Sequence, residues 1–413
     1  MNKKVLIMSA STGGGHNRAA KAIKEELENR KVDDFNIECH IIDSLKLVNT
    51  TVDKVISNGY EKSALYTPKA YGSLYRISEN SFISRNEFKH NPLTSFMAIK
   101  FAKLIREYKP DIIIGTHPFP MIALSMLKKN SDELKETNKN SSETMQLITE
   151  PINMIKDPLY KVYSKLDMPP LISVLTDYTT HSTWLQNEIS YYIVGHEYVK
   201  ELLIDEGVPE SKIKTFGIPV EKSFLSHRPK DKVLEELGLD PSKTTLLLMG
   251  GSFGAGNIKE TFQELIDIER DFQIIAIAGK NETLKEKLNK KLSTTITDKK
   301  IVVLGFVKNM NDILASVDVI VTKPGGLTTT EALLKGVPMI VPFFIPGQEE
   351  ENLEFLMNCG VALTPTKKYT LSILVRILID SPIRLQLMRE NINAIKKDNS
   401  AEKIANLILS NLQ

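Results

Sequence analysis

Twelve short apolar runs punctuate this chain, separated by longer segments of helical period. VLIMSA, IECHIID, DIIIGTH, LISVLTD, YYIVGHE and IKTFGIP fall in the first half. TTLLLMGG, FQIIAIAG, IVVLGFV, VDVIVTK, PMIVPFF and GVALTP fall in the second. Runs of Val, Ile and Leu with little alternation mark strands buried on both faces, and helices between them make such sheets parallel. Two series of this kind predict an α/β chain of two doubly wound, Rossmann-like domains. A length of 413 residues fits two domains rather than one. The stretch GIPVEKSFLSHRPKDKV, with two prolines and a charge cluster, precedes the second series. It places the domains at residues 1–225 and 226–413, with Gly217–Phe224 as the expected hinge.

Two segments depart from that regular pattern. Residues 128–145 are polar and lack aromatics, which predicts a loose loop or a frayed helix. Residues 60–106 carry eight Tyr or Phe and eight Lys or Arg against three acids. Aromatic anchors beside basic heads suit an anionic membrane surface, and the same mix also suits amphipathic helices on their own domain.

Composition narrows the classes. The chain is 42% hydrophobic and 25% charged, as a soluble globular enzyme is. A net charge of +2 does not fit a nucleic-acid-binding polycation, and no nucleic-acid partner is expected. Cys39 and Cys359 are far apart and match neither a disulfide framework nor a metal-ligand spacing; core thiols in a reducing compartment are expected. The apolar start stops at Ser9, too early for a signal peptide, and no stretch is long enough to span a bilayer. A cytosolic or membrane-surface location follows as the expectation.

The first strand runs into STGGGHNRAAKAI. Glycines at a strand-to-helix turn let backbone N–H groups approach a ligand, and the following helix offers its positive end. The spacing matches neither G-x-G-x-x-G nor G-x-x-x-x-G-K-[ST], which disfavours a nucleotide phosphate site here. His16 follows Gly14 and Gly15 at the carboxyl edge of the sheet, where imidazole suits general base catalysis or merely begins a helix.

The second half carries more specific signals. LLLMGGSFGAGNI is another strand, glycine loop and helix, and VDVIVTKPGGLTTTEALLKGVP a strand, a tight turn and a helix rich in early Thr. Thr328 and its neighbours offer hydroxyls and amides to a diphosphate. Glu331, three residues after Thr328, reads as a capping-box acid or as a ribose acceptor. The cluster Gln348, Glu349, Glu350, Glu351 and Asn352 at a loop-to-helix junction favours the helix dipole, and beside a phosphate cradle it also suits sugar hydroxyls.

At STGGGHNRAA, LTDYTTHSTW, GGSFGAG, GFVKNMNDILASVDVIVTKPGGLTTTEALLKGVP and PGQEEENLEFL the chain resembles the monogalactosyldiacylglycerol synthase and processive diacylglycerol β-glucosyltransferase group, relatives of the UDP-GlcNAc transferase of peptidoglycan synthesis. The resemblance implies a GT-B fold, a donor in the second domain, an acceptor against the first, and inversion at the sugar. It implies His16 near the acceptor hydroxyl, with Asp177 orienting it or acting as the base, and Gly14, Gly15, His181 and Trp184 on the acceptor side. It assigns Gly251 and Ser252 to the diphosphate, Phe306 and Val307 to uracil, Gly326, Leu327 and Thr328 to the phosphate turn, Glu331 to ribose, and Gln348 and Glu349 to the donor sugar. Trp184, the only tryptophan, suits a lipid headgroup boundary or a core. The expected partners are UDP-glucose or UDP-galactose, diacylglycerol and anionic membrane lipids, at the inner face of a bacterial cell membrane. No acid-x-acid motif follows a strand in a metal-binding context, so neither an obligatory metal nor another cofactor is expected.

The alternatives are transfer of GlcNAc to a lipid-linked peptidoglycan precursor and a non-catalytic UDP-sugar sensor. One stretch, between GTHPFPMIAL and PLISVLTDY, is longer than the family pattern and is expected to form a lid or a membrane contact. The last helix is expected to cross back to the first domain.

Overall fold

The computed structural model describes residues 2–11, 14–30, 35–48, 92–140, 166–250 and 257–412. Each of the twelve apolar runs holds a strand. In the first domain these are β1 (Asn2–Ser9), β2 (Asn36–Asp43), β3 (Ile112–Gly115), β4 (Leu171–Val174), β5 (Tyr191–Ile193) and β6 (Ile213–Lys214). In the second they are β7 (Thr245–Met249), β8 (Gln273–Ile277), β9 (Ile301–Leu304), β10 (Val319–Val321), β11 (Met339–Ile340) and β12 (Ala362–Leu363). Every pairing is parallel. All four residues of β3 and all five of β8 are buried, the physical reason these runs do not alternate.

Helices cover the sheets. Those of the first domain are α1 (Gly14–Glu28), α2 (Ser44–Val48), α3 (Pro92–Tyr108), α4 (Pro118–Asn140) and α5 (Glu197–Asp205). The second domain adds α6 (Lys230–Glu236), α7 (Ile258–Asp267), α8 (Glu282–Ser293), α9 (Met310–Ala315), α10 (Gly326–Leu334), α11 (Gln348–Asn358), α12 (Leu371–Asp380), α13 (Pro382–Ile395) and α14 (Ser400–Ser410). Among the described residues no helix is long and apolar enough to cross a membrane.

The strand orders locate the two functional edges. The first sheet runs β2-β1-β3-β4-β5-β6 and the second β12-β11-β10-β7-β8-β9. Read from β9, the second is the 3-2-1-4-5-6 order of a dinucleotide-binding sheet. The direction of winding reverses between β1 and β3, and again between β7 and β10. Ligands in such sheets bind beyond the carboxyl ends of the strands at that reversal.

The last helix does return to the first domain. Ile404, Ala405 and Ile408 of α14 are fully buried in one cluster with Val5, Ile7 and Ile23. Burying each large side chain is worth roughly 1.5–3 kcal/mol, enough to hold this helix on its partner.

The polar tract is only in part what its composition predicts. Residues 128–140 continue α4 rather than forming a loop. Lys129 pairs with Glu133 one turn on at 3.5 Å, and Lys135 reaches Asp167 at 2.7 Å. Local helix propensity and ion pairing there outweigh the lack of apolar residues. Residues 141–145 and the rest of the long stretch up to 165 lie outside the described residues. Of residues 60–106, the structure describes 92–106, in α3. Met97, Ala98, Phe101 and Ile105 face the core, while Phe96, Ile99, Lys100 and Lys103 are exposed. Of the two cysteines, Cys39 is a core thiol, and Cys359 is only partly buried.

Candidate active site

Three neighbouring strand ends of the first sheet converge on one point. His16 follows β1, Thr116 and His117 follow β3, and Thr176 and Asp177 follow β4. Gly14 and Gly15 are taken into the helix: α1 begins at Gly14, so His16 stands in its first turn rather than at the tip of a loop. Its Nδ1 lies 2.8 Å from the carbonyl oxygen of Thr116 and 2.8 Å from Thr176 Oγ1. A carbonyl only accepts, so Nδ1 carries the proton and Nε2 is left with a lone pair. The His117 ring meets His16 edge to face at 4.6 Å. His117 Nδ1 accepts from the Phe119 amide at 3.2 Å, which leaves its own proton on Nε2. Burial pushes the pKa of both histidines down, and His16 further lowers that of His117. The Asp177 carboxylate opposes the effect on His16. Burial in turn pushes Asp177 up, against His16 and a hydrogen bond from Asn352.

The second domain closes directly over this point. Gly326, the first residue of α10, abuts Thr176 so closely that a Cβ there would stand 1.9 Å from the Thr176 carbonyl oxygen and 2.9 Å from Asp177 Oδ1. A Cβ on Gly15 would meet Leu327 at 3.7 Å. The loop after β4 is clasped by α10 and α11. Tyr178 stacks on Phe355 at 4.4 Å and reaches Thr330 Oγ1 at 3.0 Å, and Thr179 reaches Glu351 at 2.5 Å. Tyr178 is in effect a core residue of the other domain.

The expected donor residues ring the carboxyl edge of the second sheet. Leu327 is buried and Thr328 half-buried in the first turn of α10, whose free amides form a positive end toward the cleft. Gln348 and Glu349 open α11. The turn before them needs a glycine, because Gly347 has φ of 108°. Glu349 is tied to Lys323 in an ion pair and accepts from the Ile345 amide at 2.9 Å. Phe306 is 60% exposed beyond β9, with Lys280 over its ring at 5.5 Å, and Val307 follows it. Gly251 and Ser252 lie outside the described residues.

For two residues the structure decides between readings that the sequence leaves open. Glu331 caps nothing: α10 starts at Gly326, and Glu331 is buried in mid-helix, paired with Arg18 of the first domain. Burial raises its pKa to about 7 in spite of Arg18. Trp184 is 6% exposed and belongs to the core of the first domain, so it forms no open headgroup platform. His181, beside it, caps a short helical turn, Ser182–Trp184, by accepting from the Thr183 amide. It lines a 530 Å³ groove between that turn, α5 and α11. Sequence patterns gave no signal for Arg18, Thr116, His117 or Thr176, which enter only through contacts made across strands and domains.

Residues 16–138 and 154–220 match the monogalactosyldiacylglycerol (MGDG) synthase family, and residues 245–407 match the glycosyltransferase family 28 C-terminal domain. The two matches divide the chain between an MGDG synthase segment and a glycosyltransferase family 28 C-terminal segment. The match breaks between 138 and 154, inside the stretch expected to exceed the family pattern. The chain is 29% identical to the processive diacylglycerol beta-glucosyltransferase of Bacillus licheniformis, over 98% of this chain and 94% of that one. It is equally similar to the Bacillus subtilis protein of that name, over 99% and 95%. The solved structure of Acinetobacter baumannii MurG superposes with a TM-score of 0.57 over 99% of both chains, at 14% identity. That of Staphylococcus aureus MnaA with UDP gives 0.56 over 100% of this chain and 98% of that one, also at 14%. The fold is GT-B.

Proposed function

We propose that this protein transfers a glucosyl or galactosyl unit from a UDP-sugar to diacylglycerol at a membrane surface. The observation that carries the reading is the placement of His16. Its imidazole, held with Nδ1 protonated by the Thr116 carbonyl, stands in the first turn of α1, where Gly15 adjoins Leu327 of α10 at the junction of the two domains. A base and a leaving-group site then lie on opposite walls of one cleft.

In this reading the acceptor hydroxyl attacks the anomeric carbon as the bond to the UDP oxygen breaks. The hydroxyl proton passes to His16 Nε2, and thence to solvent. Asp177 stabilises the imidazolium so formed. The amides at the start of α10, with Thr328, meet the charge that grows on the departing diphosphate. Lys323, beside Glu349, adds positive charge near the sugar. No metal has a part in this scheme, so chelation of divalent cations should leave the rate unchanged.

The membrane contact in this reading includes α3, where Phe96 and Ile99 stand exposed among Lys100 and Lys103. The curated relatives named above are called diacylglycerol glucosyltransferases, which favours diacylglycerol over a peptidoglycan precursor as acceptor.

The test is incubation of the purified protein with labelled UDP-glucose or UDP-galactose and diacylglycerol vesicles, followed by chromatography of the lipids. A labelled glycolipid is expected. If neither donor labels the lipid, while a lipid-linked peptidoglycan precursor accepts GlcNAc or nothing is transferred at all, the reading is wrong.

A further inference from the structure

Asn352 lies on α11, in the second domain, and has no exposed surface. Both its amide nitrogen and its carbonyl oxygen are engaged within the fold. Its amide nitrogen donates to Asp177 Oδ1 at 2.8 Å and to the Pro324 carbonyl at 3.0 Å. Its carbonyl oxygen accepts from the Tyr178 amide at 2.7 Å. These partners determine which way the amide points. The Pro324 oxygen only accepts and the Tyr178 N–H only donates, so a flipped amide would lose both bonds. The nitrogen must therefore face Asp177.

Two of the three partners belong to the first domain and one to the second. Asn352 thus connects the loop after β4 to the turn that opens α10. The same closure brings Gly326 against Thr176. Opening the domains would break both bonds to the first domain, and the Asp177 side chain would lose its fixed donor.

We propose that Asn352 is the positioning residue that aims the Asp177 carboxylate at His16, and that it does so only when the domains are closed. The inference rests on the reading of Asp177 as part of the transfer machinery. It links catalysis to closure: the carboxylate is oriented when the donor domain is seated, and water meets an incomplete site when it is not.

The groups that set the charge on Asp177 are His16 from α1, Lys323 before α10, and Glu349 and Asn352 from α11. The amide donates to the charged form of the carboxylate. Its loss therefore favours protonated Asp177, and the acid limb of the kcat profile should move to higher pH.

The experiment compares Asn352→Ala, Asn352→Asp, Asp177→Asn and the double variant Asp177→Asn/Asn352→Ala in the glycolipid assay. Asn352→Asp keeps the shape and the bond from Tyr178 but turns a carboxyl oxygen toward Asp177 and the Pro324 carbonyl in place of the amide donor, so thermal unfolding checks that each variant is folded. Each Asn352 variant should lower kcat about 10- to 100-fold, the worth of one hydrogen bond to a charged group. The acid limb should move up by about one pH unit. In the Asp177→Asn background, Asn352→Ala should cost nothing more, because a residue that acts through another is silent once that other is gone.

Equal losses from Asn352→Ala in both backgrounds, with an unmoved acid limb, would overturn the positioning role. So would wild-type kcat in either Asn352 variant while Asp177→Asn is impaired. If Asp177→Asn itself keeps the full rate, the underlying reading of Asp177 fails, and the inference falls with it. If Asp177→Asn has no measurable rate, the acid limb alone decides.

Discussion

His16 Nδ1 lies 2.8 Å from the carbonyl oxygen of Thr116, a hundred residues away along the chain. That one bond selects the tautomer in which Nε2 is basic. Replacing His16 by Ala should lower kcat by about 10²- to 10⁴-fold, the usual contribution of a positioned base. UDP affinity, measured by calorimetry, should change less than about threefold, since the base lies on the opposite wall from the helix end at Thr328.

The pH dependence of the wild-type rate follows from the same group. Burial holds the His16 pKa below its ordinary 6.5. The neutral, basic form therefore persists at neutral pH; the rate should rise with pH as the His16–Asp177 pair loses the one proton that either can hold, and level off once His16 is neutral and Asp177 charged. A rate still climbing tenfold per pH unit above pH 7 would point to a different base.

Glu331 gives a stability signature. Its folded-state pKa is about 7, raised from 4.5 chiefly by burial. A raised pKa means that the folded state holds the proton more tightly than the unfolded state does. The corresponding stabilisation is complete below pH 4.5 and is lost as pH rises through about 7. Glu331→Gln removes the titration and still accepts from Arg18, so its melting temperature relative to wild type should climb over that interval. Thermal unfolding at pH 4.5, 6, 7 and 8 measures the difference; parallel curves would be inconsistent with a titrating Glu331.

Gly326→Ala tests domain closure. The added methyl would lie 1.9 Å from the Thr176 carbonyl oxygen, a backbone atom that has little room to yield. The variant should fold, since Ala is a good helix residue. It should lose at least roughly tenfold in kcat/KM, because a misplacement of 1 Å at a reacting centre is already costly. Small-angle scattering should show a larger radius of gyration than wild type.

On α3, Phe96 and Ile99 are 43% and 42% exposed, with the Lys100 ammonium over the Phe96 ring at 5.6 Å. Replacing both apolar residues by Ser should weaken binding to vesicles containing anionic lipid by roughly tenfold, as expected when exposed apolar anchors are lost. UDP binding should be unaffected. Co-sedimentation with and without anionic lipid reads the first, calorimetry the second.

Trp184→Ala should act on stability. A tryptophan 6% exposed in a core leaves a large cavity on truncation, at a cost of about 3–5 kcal/mol. Chemical denaturation measures it, and Trp184→Phe should recover much of the loss.

The alternation of apolar runs and helical segments determined the architecture: two parallel six-stranded sheets, one ending with β6 and the other starting with β7. Burial on both faces of a strand writes itself into consecutive residues, so it can be read locally. The candidate residues adjoining the ends of β1, β4, β10 and β11 were legible for the same reason, since ligands gather where such strands end. The partners were not. Arg18 meets Glu331 across 313 residues and Asn352 meets Asp177 across 175. No periodicity records which polar groups will face one another once two domains close. Only the tertiary structure decided that His16 presents Nε2, that Glu331 is buried against Arg18, that Trp184 belongs to the core, and that an asparagine of one domain holds a carboxylate of the other. Hydrogen bonds and burial are settled by distances in space, and those arise only when the sheets have formed and the cleft has shut.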